Sequence, residues 1–230
     1  MITANPHPTE STTDPGAGRR DQIRVLVVDD HPAVRHGVVR LIEQQPDMVV
    51  CATAGNADDA LGGAAADVAV LDYHLGVRDG LWLTRRLKGL ARPPRVLIYS
   101  AFADHTLAAA ATIAGADGLL GKGTLAEELP LAIRRLAAGR LSLPAVAAPI
   151  ADALRSRLQS RDQAIFGMLL HGIDPAEVRA ALGISSAELE TRRTAILNSL
   201  SPQRGPAGQA TTSLPLDYER PQRRRGYPVT

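Results

Sequence analysis

Several things are nearly missing from this sequence. Among 230 residues there is one cysteine, Cys51, so no intrachain disulfide can form. That excludes a disulfide-stapled secreted domain and fits a reducing compartment. Aromatic residues make up 3% of the chain, which leaves Leu, Val, Ile and Ala to fill any core. No apolar window approaches the roughly 18 residues of a membrane span. The opening stretch, "MITANPHPTESTTDPGAGRRD", lacks the apolar segment of a secretory signal. A soluble, cytoplasmic protein without a membrane partner is expected. An excess of charge is missing too: the formal net charge is +2. Whole-chain electrostatics therefore argue neither for nor against a nucleic-acid partner.

What is present is rhythm. Residues 1–21 and 201–230 are rich in Pro, Gly and polar residues without periodicity, and are expected to be disordered tails. Between them, short apolar runs alternate with longer amphipathic stretches. The runs are "IRVLVV" (23–28), "MVVCATA" (48–54), "VAVLD" (68–72), "RVLIYS" (95–100) and "GLLGK" (118–122). The intervening segments carry helical spacings. Val34, Val38, Leu41 and Ile42 share one face, and Leu125, Leu129, Ile133 and Leu136 share another. Five runs and five helical patterns within residues 22–140 predict an α/β fold, a doubly wound five-stranded parallel sheet covered on both faces. Residues 141–157 read as a linker with a short helix near its end. Residues 158–200 carry three helical patterns and no strand signal, so a small all-α unit is expected there.

The apolar runs end in polar residues. Asp29 and Asp30 follow the first, Asp72 ends the third, Ser100 the fourth and Lys122 the fifth. In a doubly wound sheet these strand ends converge on the ligand-binding crevice. Three carboxylates suit a hard cation such as Mg²⁺. A carboxylate can also act as a nucleophile toward phosphorus, while a hydroxyl and an ammonium hold the phosphoryl oxygens. Each residue also has a plainer reading: an Asp pair can cap a helix, a serine often ends a strand, and a lysine is commonly solvated. His31, His36, His74 and His105 form no zinc-like spacing and read as exposed. Cys51 reads as a small buried hydrophobe.

Together "VLVVDDHPAVRHG", "AVLDYHLGVRDGL", "LIYSA" and "GADGLLGKG" resemble the receiver domain of two-component response regulators, in its flavodoxin-like form. The rest resembles the NarL/FixJ subfamily with its helix-turn-helix output domain, and the resemblance spans about residues 22–200. It implies that Asp72 accepts the phosphoryl group. It further implies that Asp29, Asp30, Asp72 and the backbone carbonyl of His74 hold Mg²⁺, and that Ser100 and Lys122 contact the phosphoryl group. The implied partners are a sensor histidine kinase, DNA and, after phosphorylation, a second copy of the chain. No enzyme activity is implied beyond the receiver's own phosphorylation and dephosphorylation. Two departures stand out. Gly76 occupies a position where the family usually has proline, which predicts a looser loop. Leu119 occupies the usual aromatic switch position. A haloacid-dehalogenase-like phosphohydrolase would need a second Asp two residues after the first, where this chain has His74.

In "LQSRDQAIFGMLLHGIDPAEVRAALGISSAELETRRTAILNSL" Asp174 and Pro175 read as N-cap and first helical residue, and Val178, Ala181 and Leu182 as the core face. Gly183 supplies the turn, and Ser185 with Glu188 a capping box. The last helix would then offer Glu190, Thr191, Arg192 and Thr194 to DNA, with Arg193 turned toward the core. Residues 158–200 contain no lysine and carry a net charge of −1, which is unfavourable for phosphate neutralisation. A degenerate output domain that binds a protein is therefore the alternative. The stretch 203–230 holds Arg204, Arg220, Arg223, Arg224 and Arg225 against Asp217 and Glu219, and is expected to add nonspecific DNA affinity.

Overall fold

The structure is a computed structural model that describes residues 22–62 and 65–200. The two terminal tails, with the disorder and DNA affinity expected of them, lie outside the described residues. In chain order the α/β half comprises β1 (Ile23–Val28), α1 (Pro32–Glu43), β2 (Met48–Ala54), α2 (Ala57–Leu61), β3 (Val68–Leu71), β4 (His74–Leu75), β5 (Arg78–Asp79), α3 (Gly80–Lys88), β6 (Arg95–Ser100), α4 (His105–Ala114), β7 (Gly118–Gly121) and α5 (Glu128–Ala137). The helical half comprises α6 (Ala148–Ser156), α7 (Ser160–Leu170), α8 (Pro175–Leu182) and α9 (Ser186–Leu200).

Five strands form one parallel sheet in the order β2-β1-β3-β6-β7. Alternation along each strand divides the core into two layers. Val25, Val27, Val70 and Leu97 point to the face covered by α1 and α5, where they meet Val38, Ile42, Leu129, Ile133 and Leu136. Leu26, Val28, Leu71 and Ile98 point to the opposite face, covered by α2, α3 and α4. The expected helical face of α1 is only partly buried, because Val34 is exposed. Leu125 is exposed as well and precedes α5 rather than joining it.

The second layer does not stop at the α/β half. Ala108, Ala109, Ala110, Ala111, Ile113 and Ala114 of α4 are all buried, in one cluster with Leu154, Ile165, Phe166, Leu189, Ile196 and Leu197 of the helical half. Helix α4 is therefore covered on both sides. This accounts for its alanine-rich sequence, since small side chains let a helix approach a sheet and other helices closely. In α8 only Val178 is buried; Ala181 and Leu182, expected in its core face, are exposed. Glu188 does not close a capping box. Ser185 Oγ accepts the Glu188 backbone N–H at 3.1 Å, but the Glu188 carboxylate turns to Arg192 at 2.6 Å. No helix among the described residues is long and apolar enough to cross a membrane.

The segment after Asp72 also differs from expectation. His74–Leu75 and Arg78–Asp79 pair as an antiparallel hairpin with Gly76 and Val77 at its turn. Gly76 has φ = 78°, a conformation closed to proline and costly for any residue with a Cβ. The glycine thus sits at the turn of a paired hairpin, a geometry the sequence did not announce.

Candidate functional site

Backbone pairing sets the site. The Asp29 N–H donates to Ala54 O at 3.2 Å, Asp72 N–H to Val28 O at 2.8 Å and Lys122 N–H to Ser100 O at 2.8 Å. Each bond continues the parallel ladder one step past a strand end, so the side chains beyond it lie at the same edge. Lys122 Nζ donates to Asp29 Oδ2 at 2.8 Å and lies 3.0 Å from Asp72 Oδ2. Asp29 and Asp72 are buried, whereas the Asp30 side chain keeps 30% of its surface in solvent. Burial alone would depress the Lys122 ammonium. Hydrogen bonds to Asp29 and Asp72, and the charges of both, outweigh it and hold Lys122 above the ordinary lysine range.

Asp29, Asp30, His31 and Asp72 bring their ligand atoms within 4.8 Å of one another. One ammonium faces three carboxylates, and Asp30 leaves the cluster open on one side. That donor set fits a hard divalent cation. Ser100 is fully buried at the end of β6, and its Oγ accepts the Phe102 backbone N–H at 3.1 Å. His74 begins the β4–β5 hairpin opposite Asp79, with its ring exposed and edge-on to Tyr73 and Phe102. Gly80 closes the arrangement from below, since a Cβ there would collide with the Asp72 carbonyl. Leu119 is buried beside Ile98 on the face toward α4. The only aromatic on the neighbouring strand end, Tyr99, lies on the opposite face.

Three contributors escaped the sequence reading. His31, read simply as an exposed histidine, is exposed but places Nδ1 2.6 Å from Asp30 Oδ1 and donates its backbone N–H to Asp29 at 2.8 Å. Arg35, one turn into α1, donates to the Asp29 carbonyl at 2.6 Å. Asp117 is buried at the opposite, N-terminal end of the strands, where it pairs with Lys88 and Arg95 and accepts the Val96 N–H. It lies among cations, away from the carboxylate cluster. Only the helical phase of His31 and Arg35 behind the Asp pair hinted at the first two.

The residues expected to face DNA are occupied within the chain. Thr194 Oγ1 accepts from Arg85 of α3 at 2.6 Å, and Glu190 lies 3.8 Å from the same guanidinium. Arg192 folds back onto Glu188 and the Arg161 carbonyl. Thr191 alone of the four is exposed without a partner outside α9 among the described residues. Arg193, expected to turn inward, is buried and donates twice to the Ile113 carbonyl at the end of α4, at 3.2 and 2.7 Å. The face of α9 carrying Glu190 and Thr194, which the sequence offered to DNA, thus lies against α3 and α4. Arg85 is depressed by the burial this contact imposes, although Glu190 offsets part of it.

Comparisons with known proteins agree with this geometry. Residues 25–134 match the family model described as the response regulator receiver domain. The transcriptional regulatory protein UhpA of Salmonella typhimurium is 31% identical over 77% of this chain and 91% of its own length. The DNA-binding transcriptional activator DevR/DosR of Mycobacterium tuberculosis is 34% identical, over 75% of this chain and 78% of its own. A crystal structure of a LuxR-family two-component response regulator from Aurantimonas sp. SI85-9A1 superposes with a TM-score of 0.52 at 34% identity, covering 57% of this chain and 97% of that one. With the receiver model matched over residues 25–134 and relatives of this kind more than 30% identical over about three quarters of the chain, the chain belongs to the NarL/LuxR family of two-component response regulators.

Proposed function

We propose that Asp72 is the phosphoacceptor of a cytoplasmic transcription regulator, and that its phosphorylation frees α9 to bind DNA. The observation that carries this reading is the Lys122 bridge between Asp29 and Asp72, with Asp30 beside it at the open edge. Asp72 attacks phosphorus as a carboxylate. A P–O bond to Asp72 forms as the donor's P–N bond to a kinase histidine breaks, and the imidazole leaves with a proton. Mg²⁺ held by Asp29, Asp30, Asp72 and the His74 carbonyl would neutralise phosphoryl charge. Lys122 reaches from the other side to a phosphoryl oxygen, and the Ser100 hydroxyl, now occupied by the Phe102 N–H, is placed to turn toward it.

The output side depends on the contacts of α9. Glu190 and Thr194 cannot reach a groove while Arg85 of α3 holds them and Arg193 ties α9 to the end of α4. Any shift of α4 driven from the Ser100 end would loosen Arg193 from the Ile113 carbonyl. Released helices would read paired half-sites as a dimer, through Glu190, Thr191, Arg192 and Thr194.

Incubation with acetyl phosphate and Mg²⁺ should add one acid-stable, base-labile phosphoryl group, and Asp72→Ala should abolish it. Phosphorylated protein should then be retained on DNA at low salt. Modification that persists in Asp72→Ala overturns the site assignment. Phosphorylation without any DNA retention would favour the protein-binding alternative.

A further inference from the structure

A groove of about 530 Å³ lies beside the acidic cluster, between α2 and the β4–β5 hairpin. Its floor is apolar: Ala57 and Leu75 are buried, and Val77 at the hairpin tip is 99% exposed. Its rim is acidic, formed by Asp30, Asp58 and Asp59. Asp58 and Asp59 make no ion pair among the described residues, and the Asp59 carboxylate accepts from the Asn56 amide at 2.8 Å. The one cation on the wall, Arg78, is stacked on Trp82 at 4.3 Å. Val77 and Arg78 also line a second, adjoining cleft whose far wall is Leu197 and Asn198 in the last turn of α9. Helix α9 therefore delivers the chain, at Leu200, to the neighbourhood of the groove.

The chain beyond Leu200 has complementary chemistry. Residues 201–230 carry Arg204, Arg220 and the run Arg223-Arg224-Arg225, flanked by Tyr218 and Tyr227. An extended chain covers up to about 3.3–3.6 Å per residue, so the arginine run, some twenty residues on, has ample reach. Arginine carries apolar stem and charged head together, which suits an apolar floor under an acidic rim.

We propose that the C-terminal arginine-rich segment docks in this groove, beside the entrance to the acidic cluster. Docked arginines next to Asp30 would compete with a divalent cation there and slow phosphoacceptance. That consequence rests on the function proposed above, whereas the docking itself does not.

The chain's single tryptophan makes docking measurable. In full-length Cys51→Ala, Gly226→Cys protein, a thiol-linked acceptor dye at position 226 reports its distance from Trp82 by energy transfer. Transfer should be high at low salt and fall as ionic strength rises. Reversing Arg223, Arg224 and Arg225 to Glu should lower the docked-to-undocked ratio about tenfold, as expected for three exposed ion pairs. Neutralising the rim with Asp58→Asn and Asp59→Asn should move it in the same direction by less, and Asn preserves the shape of α2. Transfer unchanged by either set of substitutions overturns the proposal. So does a charge reversal that weakens DNA binding but leaves transfer as it was, since the segment would then be a DNA contact only.

Discussion

Asp30→Asn isolates the electrostatic strain of the acidic cluster. Asp29, Asp30 and Asp72 present their carboxylates within 4.8 Å of one another. Lys122 is already committed to Asp29 and Asp72. Asp30 therefore meets two like charges and one ammonium, a net repulsion from about one carboxylate. At 4.8 Å a like-charge pair costs about 3.5 kcal/mol at an effective dielectric of about 20, and about 0.9 kcal/mol in bulk water. Asp30 is 30% exposed, so its real environment lies between these limits. Neutralising it should stabilise the metal-free protein by about 1–2 kcal/mol, which is roughly 2–8 °C for a chain of this size. Asparagine can still engage His31, so no hydrogen bond is necessarily lost.

The assay is thermal unfolding at neutral pH, with EDTA or with Mg²⁺. Wild-type protein should gain stability from Mg²⁺ by mass action, about 2.7 kcal/mol at a hundredfold excess over the dissociation constant. The variant should start higher and gain much less. Asp117→Asn is the control: that buried acid is held by Lys88 and Arg95. Losing its charge should destabilise by about 1.5–3 kcal/mol, as for charged hydrogen bonds weakened beside partly exposed cations, and leave the Mg²⁺ response intact. The reasoning fails if Asp30→Asn melts below wild type in EDTA, or if it keeps the full Mg²⁺ gain.

Gly80→Ala should cost about 1–3 kcal/mol as an overpacked contact and slow acetyl-phosphate labelling, because its Cβ would displace the Asp72 carbonyl. Gly37→Ala, in the exposed interior of α1 with nothing within 4 Å, should instead stabilise by about 0.5–1 kcal/mol; equal effects in urea titrations would refute both assignments. Arg193→Ala removes two charged hydrogen bonds to the end of α4, about 1.5–3 kcal/mol. Faster amide exchange is expected in both 113–117 and 186–200, and protection in both segments matching wild type would count against the contact. Arg134 holds the Asp47 carboxyl below its ordinary range through hydrogen bonds of 2.7 Å. A depressed folded value means the contribution is present at neutral pH and is lost as acid titrates Asp47. Both partners are more than a third exposed, so Asp47→Asn should cost no more than about 0.5 kcal/mol at pH 7. That difference from wild type should vanish at low pH, and one that grew in acid would reverse the sign.

Some of this was written locally and could be read from the chain. The apolar runs fixed five strands, because a strand covered on both faces must be apolar throughout. The residues ending those runs defined the acidic edge, since parallel strands bring their carboxyl ends to one side. Asp174 and Ser185 announced helix starts, and both accept the backbone N–H groups expected of caps. Arg193 could be turned inward from its helical phase alone. Each of these signals links a residue to neighbours a few positions away, or to a rule shared by every member of the sheet.

The rest depended on which surfaces meet. The alanines of α4 signalled a helix but not that helices from the other half would cover its second side. The positive φ of Gly76 arises only where β4 and β5 pair across it. Asp29, Asp72 and Asp117 are all buried acids near strand ends. Only the fold places the first two together under one lysine and the third among cations at the far end. Glu190 and Thr194 looked available for DNA until α9 was seen against α3 and α4. The sequence alone determined the elements and the composition of their ends. The tertiary structure decided which charges share a site and which helix face is covered, because these depend on distances between segments that no local pattern encodes.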